Sequence, residues 1–163
     1  IGDVEIFMRA NKKPVILVTG SNGKSTVVTL IDKVINDSGY KSVVCGNIGN
    51  PVLDVIDEDV NYFVIELSSF QLDTTETLKS DIAVVLNVSE DHMDRYESFE
   101  KYMNSKLKIY SGAMHRIINL DDHYCNNVSI KKDDVSISQI DQTSEYRIIK
   151  TGNDICVVHG ATE

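Results

Sequence analysis

Apolar residues along this chain gather into short, near-continuous runs that end in polar residues: Val15–Thr19, Ser42–Cys45, Tyr62–Leu67, Ile82–Asn87 and Arg116–Leu120. Runs this short and this rich in β-branched residues are what strands buried on both faces look like. Between the first two lies a helical stretch, Ser25–Ser38, with Val27, Leu30, Ile31, Val34 and Ile35 on one face and Gly39 behind it as a stop. Strand–helix–strand repetition predicts an α/β fold with a doubly wound, mostly parallel sheet. Ligands of such sheets sit in the crevice at the carboxyl ends of the strands. After residue 125 the texture changes: Val135–Ile140, Tyr146–Ile149 and Ile155–His159 alternate apolar and polar positions. With Gly152-Asn153-Asp154 as a turn, the last two runs predict a small antiparallel hairpin. The pattern therefore predicts one domain, with an α/β core over 1–125 and a β-rich part over 126–163.

A second helix is predicted over Ser98–Tyr110, where Phe99, Tyr102, Met103, Leu107 and Tyr110 form an apolar stripe. Lys106 falls inside or beside that stripe, four residues from both Tyr102 and Tyr110. A lysine in that position either snorkels to water or has a buried task, and periodicity leaves both readings open.

At 163 residues, 42% hydrophobic and 25% charged, the composition suits a single globular core. The balance of 16 basic to 25 acidic residues, with no Lys/Arg-rich stretch, argues against a nucleic-acid partner, which needs a concentrated basic face. No apolar run approaches the roughly 20 residues of a membrane span. Cys45, Cys125 and Cys156 are odd in number and in no metal-ligand spacing, which suggests free buried thiols in a reducing, cytoplasmic setting. The chain opens on Ile1 in a helix-like stretch and closes just after an apparent strand, so both ends read as cut from a longer protein.

The chemistry begins at Val18-Thr-Gly-Ser-Asn-Gly-Lys-Ser-Thr26. A strand feeds this loop and an amphipathic helix leaves it, as in a phosphate loop. Glycines let backbone N–H groups turn inward, Lys24 can reach outer phosphates, and the hydroxyl of Ser25 or Thr26 can ligate Mg²⁺. The spacing is two residues short of a Walker A motif, because Val18 stands where the first glycine belongs. Glu66 ends an apolar run, where it is either a metal-binding acid or an acid solvated at a strand end. His92 follows the Ile82 run in an acidic loop, either as a surface group or, by its shared sheet edge, as a ligand. His115, His123 and His159 have no such support. Asn47 sits among turn formers and reads by default as a structural loop residue.

In order along the chain stand TGSNGKST, GNIGNP, IELSSFQL, LNVSEDHMDRY, YMNSKLKIY and NLDD. This series resembles the Mur ligase family over about residues 2 to 122, and the short Gly-x-x-Gly-Lys-Ser loop is the family's form, shared with folylpolyglutamate synthases. IELSSFQL and DHMDRY narrow the resemblance to the branch that adds D-glutamate. The resemblance implies an ATP-dependent amide ligase with UDP-N-acetylmuramoyl-L-alanine and D-glutamate as substrates and two Mg²⁺ sites. It implies that Gly20, Ser21, Asn22, Gly23, Lys24, Ser25 and Thr26 hold ATP and that Ser25, Thr26 and Glu66 serve the first Mg²⁺. His92 matches a histidine at the second Mg²⁺ and acyl-phosphate site. Lys106 matches a lysine that the family carbamylates with CO₂ into an anionic Mg²⁺ ligand, and Asn47 and Ser68 match positions near the muramoyl substrate. Family members carry a UDP-binding domain before this one and a D-glutamate-binding domain after it. Both are expected to lie outside this chain, as is a Gly-x-His-Asn-x-x-Asn segment near the adenine. Without them the chain is expected not to ligate. Another ligase of the same fold, a non-ligase P-loop enzyme and a non-catalytic nucleotide-binding module are the competing readings.

Overall fold

A computed structural model describes residues 1–91, 93–141, 143–151 and 154–160. Eight strands form one sheet: β1 (Val15–Thr19), β2 (Ser42–Gly46), β3 (Tyr62–Glu66), β4 (Ser80–Val85), β5 (Ala113–Asn119), β6 (Val135–Ser138), β7 (Tyr146–Thr151) and β8 (Asp154–His159). Their order across the sheet is β2-β3-β1-β4-β5-β6-β7-β8. All neighbours are parallel except β7 and β8, which form the expected hairpin. Its turn residues Gly152 and Asn153 lie outside the described residues. β6 and this hairpin fall within residues 126–163 and continue the same sheet. β6 pairs with β5 (Ile117 opposite Val135) and carries the hairpin as an extension of the same sheet.

From β1 the chain builds outward both ways, to β3 and β2 on one side and to β4 and β5 on the other. The topological switch point, where open α/β sheets bind ligands, is therefore the carboxyl end of β1. Register sets what meets there: Val18 lies opposite Glu66 on β3 and Val84 on β4.

Both sheet faces are covered, which explains the continuous apolar runs. On one face Ile16, Val18, Val64 and Val84 pack under α2 (Lys24–Asp37). On the other, Val15, Leu17, Phe63, Ile65, Ala83 and Val85 pack with α1 (Asp3–Ala10), α3 (Ser69–Asp73) and α4 (Phe99–Leu107). Phe7 of α1 meets Phe63 edge-on with ring centroids 5.0 Å apart.

Three expectations are corrected. The buried stripe of α2 is centred on Val28, with Val27, Ile31 and Ile35 partly buried, while Leu30 and Val34 are 55% and 63% exposed. At 100° per residue those two lie past the edge of the stripe that faces a flat sheet. The helix predicted to reach Tyr110 ends at Leu107 and tightens into a 3₁₀ turn over Lys108–Gly112. Cys45 and Cys125 are buried free thiols as expected, but Cys156 is exposed on the edge strand β8.

Candidate functional site

The missing Walker glycine has a structural cause. Val18 is fully buried inside β1, so the strand runs further forward and leaves only Gly20 to Gly23 as loop. A Cβ on Gly20 would lie 3.1 Å from Leu86 Cβ, and Gly23 turns into α2 with φ +79°. No side chain caps α2, so its first-turn N–H groups stay open towards the loop. The segment after β4 pins the loop in place. Ser21 N–H donates to Asn87 O (3.0 Å), Asn22 N–H to Asn87 Oδ1 (2.9 Å), and Asn87 Nδ2 returns a bond to Asn22 O (3.0 Å).

Lys24 is half-buried and donates to two carbonyls of its own loop, Gly20 O at 2.8 Å and Ser21 O at 3.1 Å. Lys106, on α4, reaches the same Gly20 oxygen at 2.9 Å. It is 2% exposed, so it does not snorkel. Burial and then the neighbouring charge of Lys24 push its ammonium down to about 8, against a smaller opposing pull from Asp91. The Tyr102 ring lies under it, 4.7 Å from Nζ to centroid.

Glu66 is also buried, at 2% exposed, and is not an acid solvated at a strand end. Its two oxygens accept from Ser25 Oγ and from Asn47 Nδ2, each at 2.8 Å. Asn47 is positioned by Gly46, whose φ is +104° and whose Cβ would stand 2.3 Å from Glu66 O. Only glycine lets the two strands close there. Thus Asn47 is more than a turn former, because its amide holds the buried carboxylate. Ser68 caps α3 in a capping box with Gln71, and Thr26 is exposed on the first turn of α2.

Lys24, Asn47, Ser68, Ser69, Phe70, Asp91, Tyr102 and Lys106 line one cleft of about 230 Å³. The structure therefore brings Lys24, Asn47, Ser68 and Lys106 together, with Glu66 and Ser25 linked to it through Asn47. His92 lies outside the described residues, next to the lining residue Asp91. Pattern reading treated Tyr102 as an apolar stripe residue and missed it as a site residue. The signal available was its place one helical turn from Lys106.

A short phosphate loop at the switch point of a doubly wound sheet, facing a buried carboxylate and two lysines, defines a P-loop-type nucleotide-binding domain. A model of the Mur ligase middle domain matches residues 18–161, and the chain belongs to that family. It is 47% identical over 155 residues to a UDP-N-acetylmuramoylalanine–D-glutamate ligase of Buchnera aphidicola, covering 94% of this chain and 35% of the relative. To the ligase of the same name in Pseudoalteromonas translucida it is 58% identical over 127 residues, 75% of this chain and 28% of that one. The chain thus spans about a third of the length of these curated relatives. The fold resembles a MurF ligase from Thermotoga maritima in complex with ADP, with a TM-score of 0.71 at 15% identity, over 95% of this chain and 42% of that one. Among the described residues, no helix is long and apolar enough to cross a membrane.

Proposed function

We propose that this chain is the ATP-binding, phosphoryl-transferring domain of a cytoplasmic ligase that joins D-glutamate to UDP-N-acetylmuramoyl-L-alanine. The observation that carries the reading is the convergence of Lys24, Glu66 and Lys106, from three separate segments, at the carboxyl end of β1. The activity named for the Buchnera and Pseudoalteromonas relatives supplies the substrates, and the ADP of the Thermotoga complex supports the nucleotide.

In the proposed reaction the terminal carboxylate of UDP-N-acetylmuramoyl-L-alanine takes the γ-phosphoryl group of ATP, giving an acyl phosphate and ADP. The amine of D-glutamate attacks the acyl carbon, and the tetrahedral intermediate collapses to amide and phosphate. Both steps bring anions together, so the protein's task is to place cations and donors around them. Gly20 to Gly23 and the open amides of α2 cradle the phosphates, and Lys24 leaves the loop carbonyls for the β/γ-phosphates. Ser25, Thr26 and Glu66 offer oxygen ligands of the kind Mg²⁺ prefers. Among the described residues no group of three His, Cys, Asp or Glu could hold a metal alone. That suits Mg²⁺, which is held by one or two carboxylates together with substrate phosphates. The ion would supply neutralisation of phosphate charge.

Lys106, with its ammonium pushed down, offers a neutral amine that can add to CO₂. The resulting carbamate would be an anionic ligand for a second Mg²⁺, shared with His92. Asn47 and Ser68 would face the muramoyl substrate across the cleft. The UDP-binding and D-glutamate-binding parts of the whole protein would lie in the two thirds of the relatives' length that this chain does not span.

Titration calorimetry of the chain with Mg·ATP tests the reading. The wild type binds and Lys24→Ala binds at least about tenfold more weakly, the loss of one charge-assisted contact. Equal binding by the two would overturn it. Incubated with all three substrates, the chain alone forms no amide; product there would refute the division of labour.

A further inference from the structure

Tyr102 is fully buried, yet both ends of its side chain touch the site. Its hydroxyl lies 3.0 Å from Ser21 Oγ, in the middle of the phosphate loop. Ser21 Oγ also donates to Ser89 O at 3.0 Å and accepts from Ser89 N–H at 2.9 Å. A serine hydroxyl carries one proton, and Ser89 O takes it, so Tyr102 is the donor to Ser21. This bond joins residues 81 positions apart and ties α4 to the loop. The ring below the hydroxyl presents its face to Lys106 Nζ, a geometry that favours the cationic amine and blocks its retreat into the core. Tyr96 packs edge-on with the same ring, with centroids 5.3 Å apart at 67°.

We infer that Tyr102 is a positioning residue with two separable tasks: its hydroxyl holds the phosphate loop open at Ser21, and its ring holds Lys106 over the cleft. The nucleotide arm of this inference rests on the function proposed above; the structural arms do not. One side chain thereby sets the distance between the loop that takes phosphate and the lysine that faces it.

Two variants separate the tasks. Tyr102→Phe keeps the ring and removes only the hydroxyl; Tyr102→Leu removes both. Three readouts are compared on variants shown to be folded by urea titration. They are amide hydrogen exchange of residues 20–24 without nucleotide, Mg·ATP affinity by calorimetry, and the acetylation rate of Lys106 by acetic anhydride, read by peptide mass spectrometry. Tyr102→Phe speeds loop exchange and weakens Mg·ATP by about three- to tenfold, the worth of one hydrogen bond, while Lys106 acetylation stays at the wild-type rate. Tyr102→Leu reproduces the loop effect and raises Lys106 acetylation several-fold. Unchanged loop exchange in Tyr102→Phe overturns the hydroxyl's task, and equal Lys106 rates in the Phe and Leu variants overturn the ring's. If the wild type does not bind Mg·ATP, the proposed function fails, and the exchange and acetylation arms still decide this inference.

Discussion

Replacing Glu66 offers a test in which the effect on stability can be separated from the effect on ligand affinity. The carboxylate is buried, and its two donors, Ser25 Oγ and Asn47 Nδ2, both belong to exposed residues. Glu66→Ala removes two hydrogen bonds of about 1 kcal/mol each. It also removes the packing of one methylene, Cγ, at about 0.8 kcal/mol. The donors then turn to water rather than standing orphaned, and the cost of burying a charge disappears. The net loss is about 2 kcal/mol, which for a domain of this size lowers the melting temperature by about 4–8 °C. Glu66→Gln keeps the shape, an acceptor for Asn47 and a donor for Ser25, and stays within about 1 kcal/mol of wild type. Calorimetry then separates the metal from the fold. With Mg²⁺ present, Glu66→Gln loses about ten- to hundredfold in ATP affinity, the worth of one charge-assisted contact. With EDTA the order inverts, because the wild-type carboxylate repels uncomplexed phosphates and the amide does not. The same affinity loss with and without Mg²⁺ would refute the assignment of Glu66 to the metal.

Lys106 acetylation should rise with pH around a midpoint near 8, well below that of exposed lysines, and Lys24→Met should move the midpoint up by removing a like charge. Between about 8 and 10.5 the unfolded chain holds the Lys106 proton and the fold does not, so this residue's contribution to stability grows with pH through that window. A midpoint matching the exposed lysines would sink the claim. Arg116 and Asp134 form a buried bidentate pair joining β5 to the start of β6, and the guanidinium also donates to Ser129 O at 2.7 Å. Arg116→Leu alone should cost about 3–5 kcal/mol in urea unfolding, and Arg116→Leu with Asp134→Leu should recover most of it; a double variant no better than the single one would contradict this account.

What could be read from the sequence followed from burial on two faces. β1, β3 and β4 have helices above and below, so their residues are apolar without interruption and stand out as runs. The edge of a buried stripe is harder to place: Leu30 and Val34 are apolar but sit past the contact with the sheet. Alternation in the last forty residues predicted the strands and the hairpin but not their place in the sheet, because a strand's own pattern does not say which neighbour it pairs with. Lys24 was legible because loop, strand and helix are contiguous. Lys106 was ambiguous, since a long side chain can leave a helix stripe in either direction, and only the position of Gly20 decides it. The bond from Asn47 to Glu66 spans 19 residues and depends on β2 and β3 meeting at Gly46, so no local pattern announces it. Tyr102 was hidden for a similar reason: its partner Ser21 lies in another element.

The pairing of Val18 with Glu66 works as a ruler. Successive side chains of a strand point to opposite faces, so sliding β3 by one residue against β1 would carry the carboxylate to the far side of the sheet. Leu67, which is fully buried, would then occupy the position that Ser25 and Asn47 address. The loop between β2 and β3 can therefore vary in length at modest cost. A single insertion within Tyr62–Glu66 would leave an intact phosphate loop with no acid to answer it.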